Sequence, residues 1–322
     1  MSDGPRNSRA LAVLVVLGCV WGASFLFIKV IVDEVSALEL VLGRLFFGAV
    51  TVLSFMRVRR LRLQWTPSLL PKVAGLALAT NVVPFALIGW AEENIESGVA
   101  SVLNSTMPLF TATFAAVVLA EERLTPARMI GLITGFFGVV VLTGDDVLRI
   151  TDSDVLGETA VIAAAACYGL SAVYMRMLLQ SVEPVSLSAL QVTFGTIIAI
   201  PLVFAFEGAP GFSLSLEAWL SLLALGVFGT GFGYITYLWL IETTGSVRAS
   251  LVTYIIPVVG LFLGWAVLDE GIGVNTIAGG VFIVAGVALV MRGEGPGRVP
   301  VMVAPAAEQR AAASSSLGPK YD

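Results

Sequence analysis

The residues here that could do chemistry are suited to holding a molecule rather than converting one. Trp21, Ser24 and Phe25 stand three and four positions apart, so on a helix they share a face, with an aromatic wall beside a hydroxyl. Tyr168 and Ser171 repeat the arrangement 147 positions later. Asn104 and Ser105 precede Pro108, and Thr253 and Tyr254 precede Pro257. A proline inside a helix removes its own donor and clashes with the carbonyl four residues earlier, which makes the carbonyls of Asn104 and Thr253 candidate acceptors for a ligand. A kink closed by neighbouring hydroxyls is the competing reading. Asn81 and the pair Tyr234 and Tyr237 complete the candidate substrate-binding set. The 322 residues contain no histidine, which excludes a histidine proton relay. Cys19 and Cys167 fall in apolar segments, where neither a disulfide nor a zinc site has partners. No catalytic residue, metal or cofactor is expected.

The elements that carry these residues are dictated by solvent. Hydrophobic residues make up 57% of the chain and charged ones 13%, about half the charged share of a soluble domain. Ten apolar runs follow a short polar lead: 10–32, 36–56, 69–91, 98–120, 126–144, 155–178, 186–206, 217–241, 248–268 and 273–291. Each approaches the ~20 residues that cross a ~30 Å hydrocarbon core as a helix, and continuous apolarity excludes alternating barrel strands. The first run lacks a small-residue cleavage pattern and reads as a retained helix. The expected class is thus an all-α integral membrane protein of ten transmembrane helices around a central cavity. Trp21 lies about eleven residues into its helix, roughly 16 Å deep, away from the interface that tryptophan favours. It therefore reads as a cavity wall, whereas Gly22 with Ser24 and Gly169 with Ser171 fit either a cavity or small-residue packing. Trp90 and Trp239 lie near helix ends and read as interfacial anchors. The spacings Gly131 to Gly135, Gly229 to Gly233 and Gly260 to Gly264 permit close helix packing.

Lysine and arginine set the orientation. With the N-terminus in the cytoplasm, fourteen such residues fall in inner segments, among them Arg57, Arg59, Arg60 and Arg62, and only Arg149 falls outside. The bias places both termini inside and suits a bacterial inner membrane; the net charge of −5 carries no functional weight. Lys29 and Arg176 stand close enough to helix ends to reach water. Arg44 lies roughly 12 Å down its helix, where an unpaired cation costs on the order of 3 kcal/mol. It should pair with a carboxylate or carbonyls of another helix, Glu92, Glu93 and Glu96 being in reach, and a structural gate role suits it better than substrate contact. With Lys29 and Arg176 it forms a set of gating or structural charges. The central thirds of the helices hold no carboxylate, and Glu39 is the one placed below the surface, so proton coupling is expected to be weak or indirect.

The chain was built twice. Trp21 to Lys29 recurs as Tyr168 to Arg176 and Arg44 as Gln191, at an offset of 147; Ser97, Ala100, Ser101, Pro108 and Glu121 recur as Ser246, Ala249, Ser250, Pro257 and Glu270, at 149. The first repeat covers 10–144 and the second 155–291, joined by an extracytoplasmic linker at 145–154, with a cytoplasmic lead at 1–9 and a disordered cytoplasmic tail at 292–322. Five helices per repeat force the second half upside down, an architecture of carriers with a midplane site. In the Trp-Gly-x-Ser-Phe…Lys element at Trp21 to Lys29, in Arg44, in the Ala-Ser…Pro element ending at Pro108 and in Glu121, the chain resembles the drug/metabolite transporter superfamily, specifically its ten-helix members with two EamA-type domains. The second copy departs from that pattern at Tyr168, Arg176 and Gln191.

The resemblance implies a secondary carrier, commonly an exporter, of small metabolites such as amino acids. A multidrug or cationic-compound efflux carrier is the alternative, and a membrane enzyme or a non-transporting scaffold or receptor are the rival classes. The expected partners are a small-molecule substrate and the lipid bilayer, without nucleic acid, and the expected state is a monomer or weak homodimer.

Overall fold

The computed structural model describes residues 4–118, 125–143, 153–179, 181–209, 211, 213–244, 249 and 252–292. Glu121, Arg149, Ser246, Ser250, most of the linker and the tail beyond 292 lie outside these residues. Among the described residues the chain is helical: α1 Gly4–Val32, α2 Ala37–Val58, α3 Leu70–Glu92, α4 Ser97–Val118, α5 Pro126–Thr143, α6 Ser153–Leu178 and α7 Pro184–Phe206. They are followed by α8, running through Leu216–Ala224, Leu225–Phe232 and Gly233–Thr244, and by α9 Val252–Leu268 and α10 Val274–Arg292. Seven runs, α1 to α4 and α6 to α8, are long and apolar enough to cross a membrane, while α5, α9 and α10 are shorter apolar helices. Side chains such as Ile133, Phe137, Phe204, Phe228, Phe262 and Val281 stand outward and exposed, the solvent-facing pattern of a membrane protein.

Local chemistry fixes the ends. Ser36 opens α2 in a capping box: its hydroxyl accepts from the Glu39 amide at 3.2 Å, and its own amide donates to Glu39 at 3.2 Å. Ser215 caps α8 by accepting from the Ala218 amide at 3.1 Å. At the end of α2, Arg60 turns left-handed at φ 54° and the Leu61 amide returns to the Met56 carbonyl at 2.9 Å.

Two helices change pitch in mid-run. Leu78–Val82 in α3 and Leu225–Phe232 in α8 are π-helical, and the first maps into the second at the offset of 149 found between the repeats. Such wide turns leave backbone groups without their usual partner, often at functional sites. A third irregularity is a break in α4 at Ser105 and Thr106, from which Met107 and Pro108 start a new helix.

Glycines set the closest crossings. A side chain at Gly138 would meet the Gly279 carbonyl and the Ile283 amide at 2.7 Å, and Gly286 lies as close to Gly131 and Gly135, so α5 and α10 touch backbone to backbone. Gly260 abuts Ser101, and Gly229 and Gly233 abut Ser24 and Trp21. All three glycine-spaced faces pack inside the molecule. At one end of the bundle, the Lys29 end, the turns 33–36, 93–96 and 269–273 meet one another and residues 211 and 213–215.

Candidate binding cavity

A cavity of about 100 Å³ lies at the centre, walled by α1, α2, α3, α4, α6, α8 and α9. Its lining follows the repeat: Trp21 and Tyr168, Ser24 and Ser171, Phe25 and Ala172, Ile28 and Met175 face it as pairs offset by 147. Thr80 and Gly229, Phe85 and Tyr234, Ile88 and Tyr237, Asn104 and Thr253, Met107 and Ile256 do so at 149. Arg44 and Val252 alone line it without their repeat counterparts, Gln191 and Leu103.

The walls are built by helix periodicity and by the π segments. Trp21, Ser24, Phe25 and Ile28 form one face of α1, as three- and four-residue spacing requires. The Trp21 indole donates to the Gly229 carbonyl at 2.9 Å, inside the π segment of α8. Its ring meets Tyr237 at 5.1 Å and Tyr234 at 6.5 Å between centroids, a tilted and edge-on cluster. Ser24 and Ser171 each donate to the carbonyl four residues back, at 3.0 and 2.7 Å, which leaves their lone pairs facing the cavity. The Tyr234 hydroxyl reaches the Thr80 carbonyl at 3.4 Å, tying α8 to the π segment of α3. The hydroxyl oxygen of Thr80 and the amide oxygen of Asn104 are buried without a hydrogen-bond partner among the described residues.

Ten residues singled out by sequence converge on this cavity: Trp21, Ser24, Phe25, Arg44, Asn104, Tyr168, Ser171, Tyr234, Tyr237 and Thr253. Five others do not line it. Asn81 is buried and donates to the Gln191 carbonyl at 3.2 Å, joining α3 to α7. Ser105 sits in the α4 break, its hydroxyl on the Val102 carbonyl at 2.6 Å, and Thr106 likewise takes the Leu103 carbonyl at 2.7 Å. At the break beside Pro108 the neighbouring hydroxyls thus meet the carbonyls of Val102 and Leu103. Pro257 stays within an unbroken α9, and Tyr254 packs with Leu109, Ala112 and Val287.

The charges correct the sequence expectations. Arg44 is buried, but its partner is neither a carboxylate nor a carbonyl: Nε donates to the Thr230 hydroxyl at 2.9 Å and the guanidinium lies 3.7 Å over the Phe85 ring. The reason is geometric, since the α8 π segment brings Thr230 against α2 while Glu96 turns away to accept from the Gly271 amide at 3.2 Å. Lys29 does not run free to water; its ammonium donates to the carbonyls of Glu92 and Ile95, closing the C-terminal end of α3. Arg176 is exposed in the last turn of α6, away from the cavity. Glu39 is a surface cap whose second oxygen accepts from the Gly211 amide at 2.9 Å. Among the described residues the sequestered carboxylate is instead Glu92, fully buried with neither oxygen hydrogen-bonded. Sequence reasoning missed it because Glu92 closes an apolar run beside Glu93 and Glu96 and looks like part of a polar hairpin. Thr80, Phe85, Ile88, Met107 and Met175 were missed as well, although the repeat offset applied to Tyr234 and Tyr237 points straight to Phe85 and Ile88.

Comparison with known proteins agrees with this architecture. The model of the EamA-like transporter family matches residues 9–144 and again 155–292. The uncharacterized transporter YoaV of Bacillus subtilis (strain 168) is 27% identical over 268 residues, 83% of this chain and 91% of its own. A probable terminal-alkyne amino-acid exporter of Streptantibioticus cattleyicolor is 26% identical over 298 residues, covering 89% and 95%. The uncharacterized inner membrane transporter YedA of Escherichia coli (strain K12) is 25% identical over 285 residues, covering 87% and 90%. A solved crystal structure matches with a TM-score of 0.65 at 21% identity, over 88% of this chain and 97% of that one, and so shares its fold.

Proposed function

Because this chain belongs to the EamA-like transporter family, and is a membrane transporter, we propose that it carries small amphipathic metabolites by alternating access through the Trp21–Tyr168 cavity, as an exporter. The observation that carries the reading is the pairwise lining. Nine pairs of repeat-related side chains converge on one central space, as expected where two copies of a fold, oppositely oriented, share a site. The ten helical runs are then ten spans in two inverted repeats, 10–144 and 155–291, with both termini in the cytoplasm and the Lys29 end outside. Amino acids are the favoured class, since a relative bears the name of an amino-acid exporter and the lining mixes apolar walls with unpartnered oxygens.

The contacts at the Lys29 end support alternating access. At the Lys29 end four contacts join the repeats: Glu34 accepts from the Ser215 amide and hydroxyl, Glu39 from the Gly211 amide, Glu96 from the Gly271 amide, and Glu270 from the amides of Ser97 and Gly98 and the Ser97 hydroxyl. These are one to three hydrogen bonds each, made to loops and helix starts, and they are separable without unfolding a helix. The molecule works in the bilayer as a monomer or weak homodimer, with no enzymatic step. Counterflow in proteoliposomes with labelled amino acids, sugars and cationic dyes tests the reading: exchange of one class is expected, and no exchange of any compound by folded protein would sink it.

A further inference from the structure

We propose that Arg44 is the anchor for a carboxylate, so that the cavity takes monoanionic or zwitterionic molecules with an apolar body and rejects simple cations. The inference rests on the transport reading of the cavity and adds the chemistry of its occupant. Among the described residues Arg44 is the only charged side chain in the lining, and it is 6% exposed. Nε is held by Thr230 and one face by Phe85, which fixes the guanidinium plane; the two terminal nitrogens have no hydrogen-bond partner among the described residues. A cation at this depth is costly to leave without an anion.

The nearby carboxylate does not serve. Glu92 lies at the end of α3, where Lys29 donates to its backbone carbonyl, and its side-chain oxygens make no hydrogen bond to Arg44. No carboxylate oxygen is hydrogen-bonded to Arg44 among the described residues, so its charge is left for a ligand to meet. Arg44 also breaks the twofold match of the lining, because its repeat counterpart is the neutral Gln191, whose carbonyl is taken by Asn81. The asymmetry gives the cavity one positive pole. Thr80 and Asn104 line the same cavity, and since the Asn104 amide oxygen accepts and the Thr80 hydroxyl can accept, a donor on the same ligand has a place. A planar, singly charged carboxylate matches one guanidinium fork, whereas a phosphate dianion would call for a second cation.

Binding to the full-length protein in detergent, measured by scintillation proximity with three probes of one tail, tests this. The probes are 4-methylpentanoate, isoamylamine and 3-methylbutyl phosphate. The acid is expected to bind at least about tenfold tighter than the amine and tighter than the phosphate ester, a gap of about 1.4 kcal/mol. Arg44→Gln should erase the difference between acid and amine, and Arg44→Lys should restore part of it. An equal or reversed acid-to-amine ratio in the wild type overturns the proposal, as does absence of binding by all three probes, tighter binding of the phosphate, or an unchanged ratio in a folded Arg44→Gln. If that variant does not fold, the wild-type ratio decides alone, supported by Thr230→Val, which should weaken acid binding several-fold and leave the amine unaffected. Arg44-dependent binding of the acid without counterflow would leave the anchor standing and remove the transport reading instead.

Discussion

At the scale of single residues, Trp21 does two separable things. Its indole nitrogen holds the π segment of α8 through Gly229, and its ring fills the wall between α1 and the tyrosines of α8. Trp21→Phe keeps most of the ring and loses one hydrogen bond, worth about 1 kcal/mol, so counterflow should fall several-fold at unchanged insertion. Trp21→Ala should fall at least about tenfold, again without loss of membrane insertion; unchanged kinetics in both would reduce the residue to packing. Lys29 illustrates the opposite balance. Its ammonium satisfies two carbonyls at the end of α3 and faces the buried Glu92, so Lys29→Met leaves polar groups unpaired at a cost of about 1–3 kcal/mol. The expected readout is a lower unfolding temperature in detergent, a loss that Lys29→Arg should partly recover. Glu39→Gln should leave counterflow within about twofold, because Glu39 is a cap at the surface rather than a buried proton site.

Between elements, close approach and irregular pitch decide the architecture. The α5 and α10 crossing depends on glycine, since any side chain at Gly138 meets backbone atoms that cannot rotate away. Gly138→Ala should therefore destabilise the protein, while Gly75→Ala, which meets nothing within 4 Å, should be neutral or stabilise α3 by up to about 1 kcal/mol through helix propensity. Thermal unfolding of the two variants side by side checks this, and equal midpoints would count against the crossing. The π segments follow a different logic. They place Thr80, Gly229 and Thr230 where regular α-helices would rotate them off the cavity and off Arg44, and they do so at matched positions of both repeats. No propensity in Leu78–Val82 or Leu225–Phe232 announces a wide turn, so the repeat could align these segments without revealing their pitch.

For the molecule as a whole, the contacts at the Lys29 end join the two repeats, and the proposed alternating access requires them to open. Glu34 is the most tractable of them. The hydroxyl and then the backbone amide of Ser215 donate to its charged form and hold its carboxyl below the ordinary 4.5. A depressed carboxyl contributes its contact in full above the ordinary value and loses it as the pH falls through the lowered one. Hydrogen exchange of the 213–218 segment, corrected for intrinsic rates, should thus be constant from about pH 7 to 5 and rise only in stronger acid. Glu34→Gln should raise it already at neutral pH, and identical protection in wild type and variant would show that this contact does not hold the hairpin.

Hydropathy and repetition, both one-dimensional, are legible in the sequence because the bilayer penalises any unsatisfied backbone and because duplicated helices keep their spacing. They were enough for the helical class, the pairing of Trp21 with Tyr168 and nine of the residues that line the cavity, while the motif residues around Trp21, Arg44 and Pro108 carried the resemblance to the family. The partners of buried polar atoms were not legible, since these depend on which helices touch and at what rotation. Only the tertiary structure could turn Arg44 toward Thr230 and Phe85, seal Glu92 beneath Lys29, place the hydroxyls of Ser105 and Thr106 on carbonyls at the α4 break, and set Asn81 against Gln191 instead of the cavity.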